Sequence, residues 1–215
     1  MNNENTVKTG TTTVALAGKD FVVFAADKRA TAGHLIVGKS VEKVKKINKK
    51  MALTTAGSVA DIQLMIKMLK AELKLKDIRN DRESKVDEAA SLLANMTYSN
   101  IRKFSAIPGI SHFLFGGVDS EGAKLYDIFP DGSLTDIVQE GGFVASGSGS
   151  TFAYGVLEDN YDKELNQKDA VELAIRSIHS ALKRDSASGQ GVDVMLIDKE
   201  GARKVEEKKL SEELS

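Results

Sequence analysis

A threonine hydroxyl is a poor nucleophile until a base removes its proton. Gly10-Thr11-Thr12-Thr13-Val14 puts three threonines behind a glycine near the start of the chain. If the chain is cut between Gly10 and Thr11, Thr11 carries a hydroxyl and a free α-amino group together. Such an amine, with a pKa of roughly 8, can take the hydroxyl proton near neutral pH. The plain alternative is that Thr and Val favour strands and the hydroxyls simply face solvent. On this stretch alone the plain alternative is the better reading, because short motifs often match without function.

The remaining chemistry is narrow. With no Cys, the chain has no disulfide and no thiolate site. His34, His112 and His179 are far apart and show no H-x-x-x-H spacing, so no metal is expected. They read as loop or packing residues. The 30 Lys+Arg balance 31 Asp+Glu, which gives no electrostatic case for nucleic acid. Lys43, Lys45, Lys46, Lys49 and Lys50 form a local basic run without interleaved aromatics. A solvated face is the usual explanation of such a run. Asp27-Lys28-Arg29, ending an apolar run, is either a solvated turn or a site at a strand's end. The Gly/Ser loop Ala145–Ser150 lacks the Gly-Lys-Ser/Thr end of a phosphate loop and is no nucleophile elbow. No run of eighteen apolar residues exists, and the first ten residues have no apolar core. A cytoplasmic protein is expected, neither membrane-spanning nor secreted.

The elements that must position these residues follow from periodicity. Thr12–Leu16 and Phe21–Ala26 read as strands around a Gly18-Lys19-Asp20 turn, the second buried on both faces. Alternation over Val41–Ile47 predicts a strand, and Met51–Ala56 another. A helix from Val59 to about Asp77 carries the stripe Ile62, Met65, Ile66, Leu69, Leu73, with Ser58 as N-cap and its methionines as core filler. A second has Val86, Ala89, Ala90, Leu93, Met96 or Thr97, and Ile101. Strands are expected at His112–Val118, Lys124–Phe129 and Leu134–Val138, then helices at Thr151–Asp159 and after Asn166. Two last strands are expected at Val192–Ile197 and Arg203–Glu206. Grouped strands and grouped helices indicate an α+β fold: two antiparallel sheets face to face with a helix pair outside each.

Six pieces in this order resemble the proteasome β subunits, of the archaeal, catalytically active type. They are Gly10–Val14, Asp27-Lys28-Arg29, Lys43, Ala56-Gly57-Ser58, Gly147–Ser150 with Tyr154–Leu157, and Arg184–Gly189. The resemblance runs from Gly10 to about Ile197. It implies the four-layer αββα sandwich of N-terminal-nucleophile hydrolases. Residues 1–10 would be a propeptide, 11–205 the single domain and 206–215 a charged tail. Thr11 matches a nucleophile exposed by self-cleavage at Gly10–Thr11. Asp27 and Lys43 match an acid and the lysine beside it, and Arg29 a structural neighbour. Gly57 matches the oxyanion N–H, and Ser148, Asp185 and Ser188 the residues that hold the threonine amine and its water. Ala30, Val41, Lys45, Thr55 and Val59 match the first substrate pocket, where Lys45 would favour an acidic or hydrophobic P1 residue over a basic one.

The chemistry is coherent in its own terms. A lysine cation near Thr11 favours the alkoxide, and Asp27 keeps that cation charged and oriented. No metal or organic cofactor is needed. The implied partners are proteasome α subunits, other β subunits in stacked seven-membered rings, an ATP-dependent unfolding regulator, and peptide or unfolded protein substrates. Two readings stay open beside it. One is a non-catalytic β subunit of the same ring, and the other an amidohydrolase of this fold acting on small amides.

Overall fold

A computed structural model describes residues 10–32, 34–105 and 108–205. Most of the expected leader and the whole expected tail lie outside these residues. The chain runs β1 (Thr12–Ala17), β2 (Val22–Asp27), β3 (Ala30–Ala32), β4 (Leu35–Gly38), β5 (Val44–Lys46) and β6 (Met51–Gly57). Helices α1 (Val59–Asn80) and α2 (Val86–Ile101) follow, then β7 (Ser111–Asp119), β8 (Gly122–Ile128) and β9 (Leu134–Asp136). The rest is a short α3 (Ile137–Glu140), β10 (Phe143–Gly147), α4 (Ser150–Asn160), α5 (Gln167–Leu182), β11 (Val192–Asp198) and β12 (Gly201–Val205).

Two five-stranded antiparallel sheets form, in the orders β10-β1-β2-β11-β12 and β5-β6-β7-β8-β9. Alternation in β2 shows how the layers are assigned. Val23 and Ala25 pack with Val171, Ala174 and Ile178 of α5, whereas Val22, Phe24 and Ala26 pack with Ala52, Leu114 and Leu125 of the other sheet. A strand apolar on both faces must be covered on both. The second sheet buries Leu53, Phe113 and Phe115 against Leu69, Leu73 and Leu93 of α1 and α2. The result is the four-layer αββα sandwich, an α+β fold as the grouping of elements predicted.

Several local expectations change. The strand expected at Val41–Ile47 is only β5, and Lys43, Val44 and Ile47 are all buried. Strict alternation fails because residue 43 precedes the ladder, where the chain is still free to turn its side chain inward. The hairpin β3–β4 had no clear signal in its short, Ala- and Gly-containing run. Leu134–Val138 is divided: Asp136 caps a turn of helix by accepting from the Val138 N–H at 3.0 Å. Asn166 caps α5 in the same way through the Asp169 N–H. Ser58 stands at the N-cap of α1 without a side-chain capping bond. Met65 is core, but Met68 lies outside it and is exposed. Of Met96 and Thr97 it is Thr97 that is fully buried, its hydroxyl donating to the Leu93 carbonyl at 2.9 Å.

Candidate active site

Thr11 immediately precedes β1, and its partner strand β2 ends at Asp27. Pairing of the two strands therefore brings the Asp27 carboxylate under the first residues of β1. That carboxylate is fully buried and collects four donors. Thr12 N–H and Lys43 Nζ bond its Oδ1 at 2.9 and 2.6 Å, and Arg29 N–H and Gly189 N–H its Oδ2, each at 3.0 Å. Three of the four are backbone N–H groups, so Asp27 is fixed whether or not the lysine is present.

Lys43 reaches this site from just before β5, at the edge of the other sheet. Burial pushes its ammonium below the ordinary lysine value, while the charge and hydrogen bond of Asp27 oppose that shift. The same ammonium lies 3.4 Å from the Gly10 carbonyl oxygen, and Thr11 Oγ1 donates to that oxygen at 2.7 Å. One carbonyl, belonging to the Gly10–Thr11 peptide bond, thus faces both the hydroxyl and the cation. Gly10 has no room for a side chain: a Cβ would lie 1.9 Å from Ala187 Cβ. Its N–H donates to Thr31 Oγ1 at 2.8 Å, a contact with no signal in the sequence.

The Gly/Ser loop closes the other side. Thr11 N–H meets Ser148 Oγ at 3.4 Å, and Ser148 Oγ donates to Asp185 Oδ2 at 2.6 Å. A second chain of bonds runs from Thr12 Oγ1 to Ser188 Oγ at 2.7 Å, and from Ser188 Oγ to the same Asp185 oxygen at 2.6 Å. Burial alone would raise the Asp185 carboxyl, but these hydroxyls and the Ala187 N–H hold it below the usual carboxylate range. Of Ser148, Asp185 and Ser188, the hydrogen bonds connect only Ser148 directly to Thr11; Ser188 acts on Thr12. Arg29 donates to the Ser186 carbonyl at 2.8 Å and packs its guanidinium on Gly189, bracing this loop.

Gly57 ends β6 one residue before the cap of α1. Its φ of +121° favours glycine, and a Cβ would lie 2.3 Å from the Ile110 carbonyl oxygen. Beside it opens a cavity of about 160 Å³ lined by Ala30, Val41, Lys45, Thr55 and Val59 as well as Thr11, Lys43 and Gly57. Four further lining residues were missed: Glu42, Ile62, Gln63 and Ile66. Val59, Ile62, Gln63 and Ile66 have i, i+3, i+4, i+7 spacing, one face of α1. That spacing was legible, but the stripe alone does not tell cavity wall from core. Lys45 lines the cavity with its ammonium paired to Glu42 at 2.9 Å, and Glu42 also takes Lys204. The cation expected to be available to a substrate already has a partner. Among the described residues no cluster of His, Asp or Glu could hold a metal ion, and no helix is long and apolar enough to cross a membrane.

The sandwich is that of the N-terminal-nucleophile hydrolases. The chain belongs to the proteasome subunit family, whose model matches residues 7–197. It is 50% identical over 188 residues to the proteasome subunit beta of Ferroglobus placidus, covering 87% of this chain and 86% of that one. It is 45% identical over 215 residues to the proteasome subunit beta of Methanothermobacter thermautotrophicus, covering 100% and 98%. The proteasome subunit beta of Archaeoglobus fulgidus is 45% identical over 194 residues, covering 90% and 88%.

Proposed function

We propose that this chain is a threonine-type endopeptidase subunit of a proteasome core, made as a precursor and activated by its own cleavage between Gly10 and Thr11. The observation that carries the reading is the Gly10 carbonyl oxygen, with the Thr11 hydroxyl at 2.7 Å and the Lys43 ammonium at 3.4 Å.

In the precursor the Thr11 nitrogen is an amide and cannot act as base. A water takes the hydroxyl proton, and Thr11 Oγ1 attacks the Gly10 carbonyl carbon while Lys43 offsets the charge growing on its oxygen. The water passes that proton to the Thr11 nitrogen, the Gly10–Thr11 C–N bond breaks, an ester forms on Thr11 Oγ1, and the nitrogen leaves as a free amine. Water hydrolyses the ester, releasing a leader that ends in the Gly10 carboxylate. Proximity of this kind is worth several orders of magnitude in rate.

In the mature subunit the Thr11 amine is the base. Ser148, tied to Asp185, orients it, and Lys43, held by Asp27, favours the alkoxide. Attack on a substrate carbonyl puts negative charge on the oxygen facing the Gly57 N–H, and the amine returns its proton to the leaving nitrogen. Water then cleaves the acyl ester with the amine again as base. Ala30, Val41, Val59, Ile62 and Ile66 make the cavity mainly apolar, and the paired Lys45 leaves it without a free cation. A hydrophobic P1 residue is therefore the expected preference. The subunit would work beside α subunits in stacked seven-membered rings in the cytoplasm, on unfolded protein delivered by an ATP-dependent regulator.

N-terminal sequencing and mass spectrometry of assembled particles, together with turnover of a fluorogenic peptide, test this. Loss of residues 1–10 with peptide turnover is expected. A particle that cuts peptides with Gly10 still attached to Thr11 would exclude the amine as base. A mature particle without turnover would make this a non-catalytic subunit.

A further inference from the structure

His112, its side chain 20% exposed, links the buried Asp127 and Ser146 in a polar chain between the two sheets that the mechanism above does not use. His112 Nδ1 lies 2.7 Å from Ser146 Oγ, and His112 Nε2 lies 2.5 Å from Asp127 Oδ1. Asp127 and Ser146 are each 5% exposed. With its proton on Nε2 the ring donates to Asp127 and accepts from Ser146. The ring also stacks on Phe129, with centroids 5.1 Å apart, which fixes its plane. A polar group taken into such a layer is costly unless its partners are all present.

The placement of the two ends gives this chain a task. His112 stands on β7, which holds β6 through the pairs Ala56–His112 and Gly57–Ser111. It is therefore one residue from the pair that carries the oxyanion glycine. Ser146 stands on β10, opposite Thr13, and the next pair along is Gly147–Thr12. Gly147 is packed so closely on Thr11 that a Cβ would lie 2.0 Å from the Thr11 carbonyl oxygen. Ser148 follows, on the Thr11 nitrogen. β10 is an edge strand, bonded to a neighbouring strand on one side only, and it leaves the ladder at Gly147. An edge-strand end of this kind frays unless something else holds it. β7, in contrast, lies in the middle of its sheet.

We propose that His112 is a positioning residue, a strut from the second sheet to the end of β10 that sets the separation between the Gly57 N–H and the Thr11–Ser148 pair. The nucleophile and its amine are carried by one sheet and the oxyanion donor by the other, so the spacing of the sheets at this point is a catalytic dimension. A misplacement of about 1 Å in such a constellation can cost on the order of a hundredfold in rate. The strut rests on the reading of Thr11 as the nucleophile.

The test uses assembled, leader-free particles of the full chain and a fluorogenic peptide. Ser146→Ala removes one hydroxyl and His112→Leu removes the ring's polar contacts. Both are expected to assemble and to lose between about ten- and a hundredfold in kcat, with KM within about twofold. Ser146→Thr keeps the hydroxyl, and His112→Gln can still donate to Asp127 and accept from Ser146. Both should recover most of the rate. Wild-type kcat in Ser146→Ala would overturn the strut, and so would a loss equally large in Ser146→Thr. Crystal structures of the Ser146→Ala and unsubstituted particles read the separation between the Gly57 nitrogen and the Thr11–Ser148 pair without turnover. An unchanged separation overturns the strut even if the wild type is inactive, whereas an inactive wild type with a changed separation overturns the nucleophile reading alone. If His112→Leu fails to assemble, Ser146→Ala decides.

Discussion

Lys43 and Lys45 stand two residues apart in one basic run, and each is bound to a carboxylate. Their side chains differ in exposure, 6% against 38%. The Asp27 that holds Lys43 is fully buried and gathers three backbone donors besides. The Glu42 that holds Lys45 is open to water and shared with Lys204. The first pair is a fixed element of the site. The second is a solvated trio at the rim, where screening leaves little net interaction. Nearly the same local sequence therefore supplies one buried charge held beside the Gly10 carbonyl and one solvated charge at the cavity rim.

The sharpest way to break this comparison is to remove what the buried pair serves. Thr11→Ala should lower peptide turnover by several orders of magnitude while the subunit stays folded, as read by fluorogenic peptide rates and circular dichroism. Turnover near wild type would sink the assignment.

Next come the two halves of the buried pair, which should not be equivalent. Both Asp27→Asn and Lys43→Ala should abolish peptidase activity and leave the leader attached. Asp27→Asn removes the counter-charge of a buried ammonium and replaces one acceptor oxygen with an NH2 among backbone donors, and should cost about 3–5 kcal/mol in stability by chemical denaturation. Lys43→Ala leaves Asp27 its three backbone donors and should cost distinctly less. Equal losses would mean that the pair is not as buried as its geometry implies.

The direction of the Lys43 shift gives a pH signature. Because burial lowers its value, the ammonium loses its proton earlier than an exposed lysine as pH rises. The alkaline limb of kcat/KM should therefore begin below the ordinary lysine range, with activity falling as pH rises. A plateau that extends through that range would show Lys43 to be fully charged or irrelevant.

Smaller effects belong to the rim. Glu42→Gln releases Lys45 and should raise the relative rate on acidic P1 residues by a few-fold over the wild-type hydrophobic preference. A peptide panel differing only at P1 measures this, and an unchanged ranking would mean that Lys45 does not face the substrate. Lys46 donates to the Ala202 carbonyl at the surface, so Lys46→Ala should change turnover by less than about twofold.

What the residues determined by themselves was the alternation of apolar runs, and with it the layers. Phe21–Ala26 must be covered on both faces, and the stripes on α1, α2 and α5 must find sheets to cover. The motif residues Thr11, Asp27, Lys43, Gly57, Ser148 and Asp185 were legible only together, through the resemblance they carry. Register through β1–β2, β6–β7 and β1–β10 bears on Thr11, Asp27, Gly57 and Ser148, whereas Lys43 stands before the β5 ladder and Asp185 in the loop after α5. What the tertiary structure decided is how side chains from different elements divide their partners. Whether Lys45 is free depends on Glu42 and on Lys204, which is 159 residues further along the chain. Whether Ser188 serves Thr11 or Thr12 depends on a few ångströms in a loop. Whether His112 is an isolated packing residue or a link between sheets depends on Ser146 and Asp127 arriving opposite it. Periodicity is a property of one element and can be read along the chain. Pairing between elements is set by how the finished layers pack, so residues with the same local pattern can meet quite different neighbours.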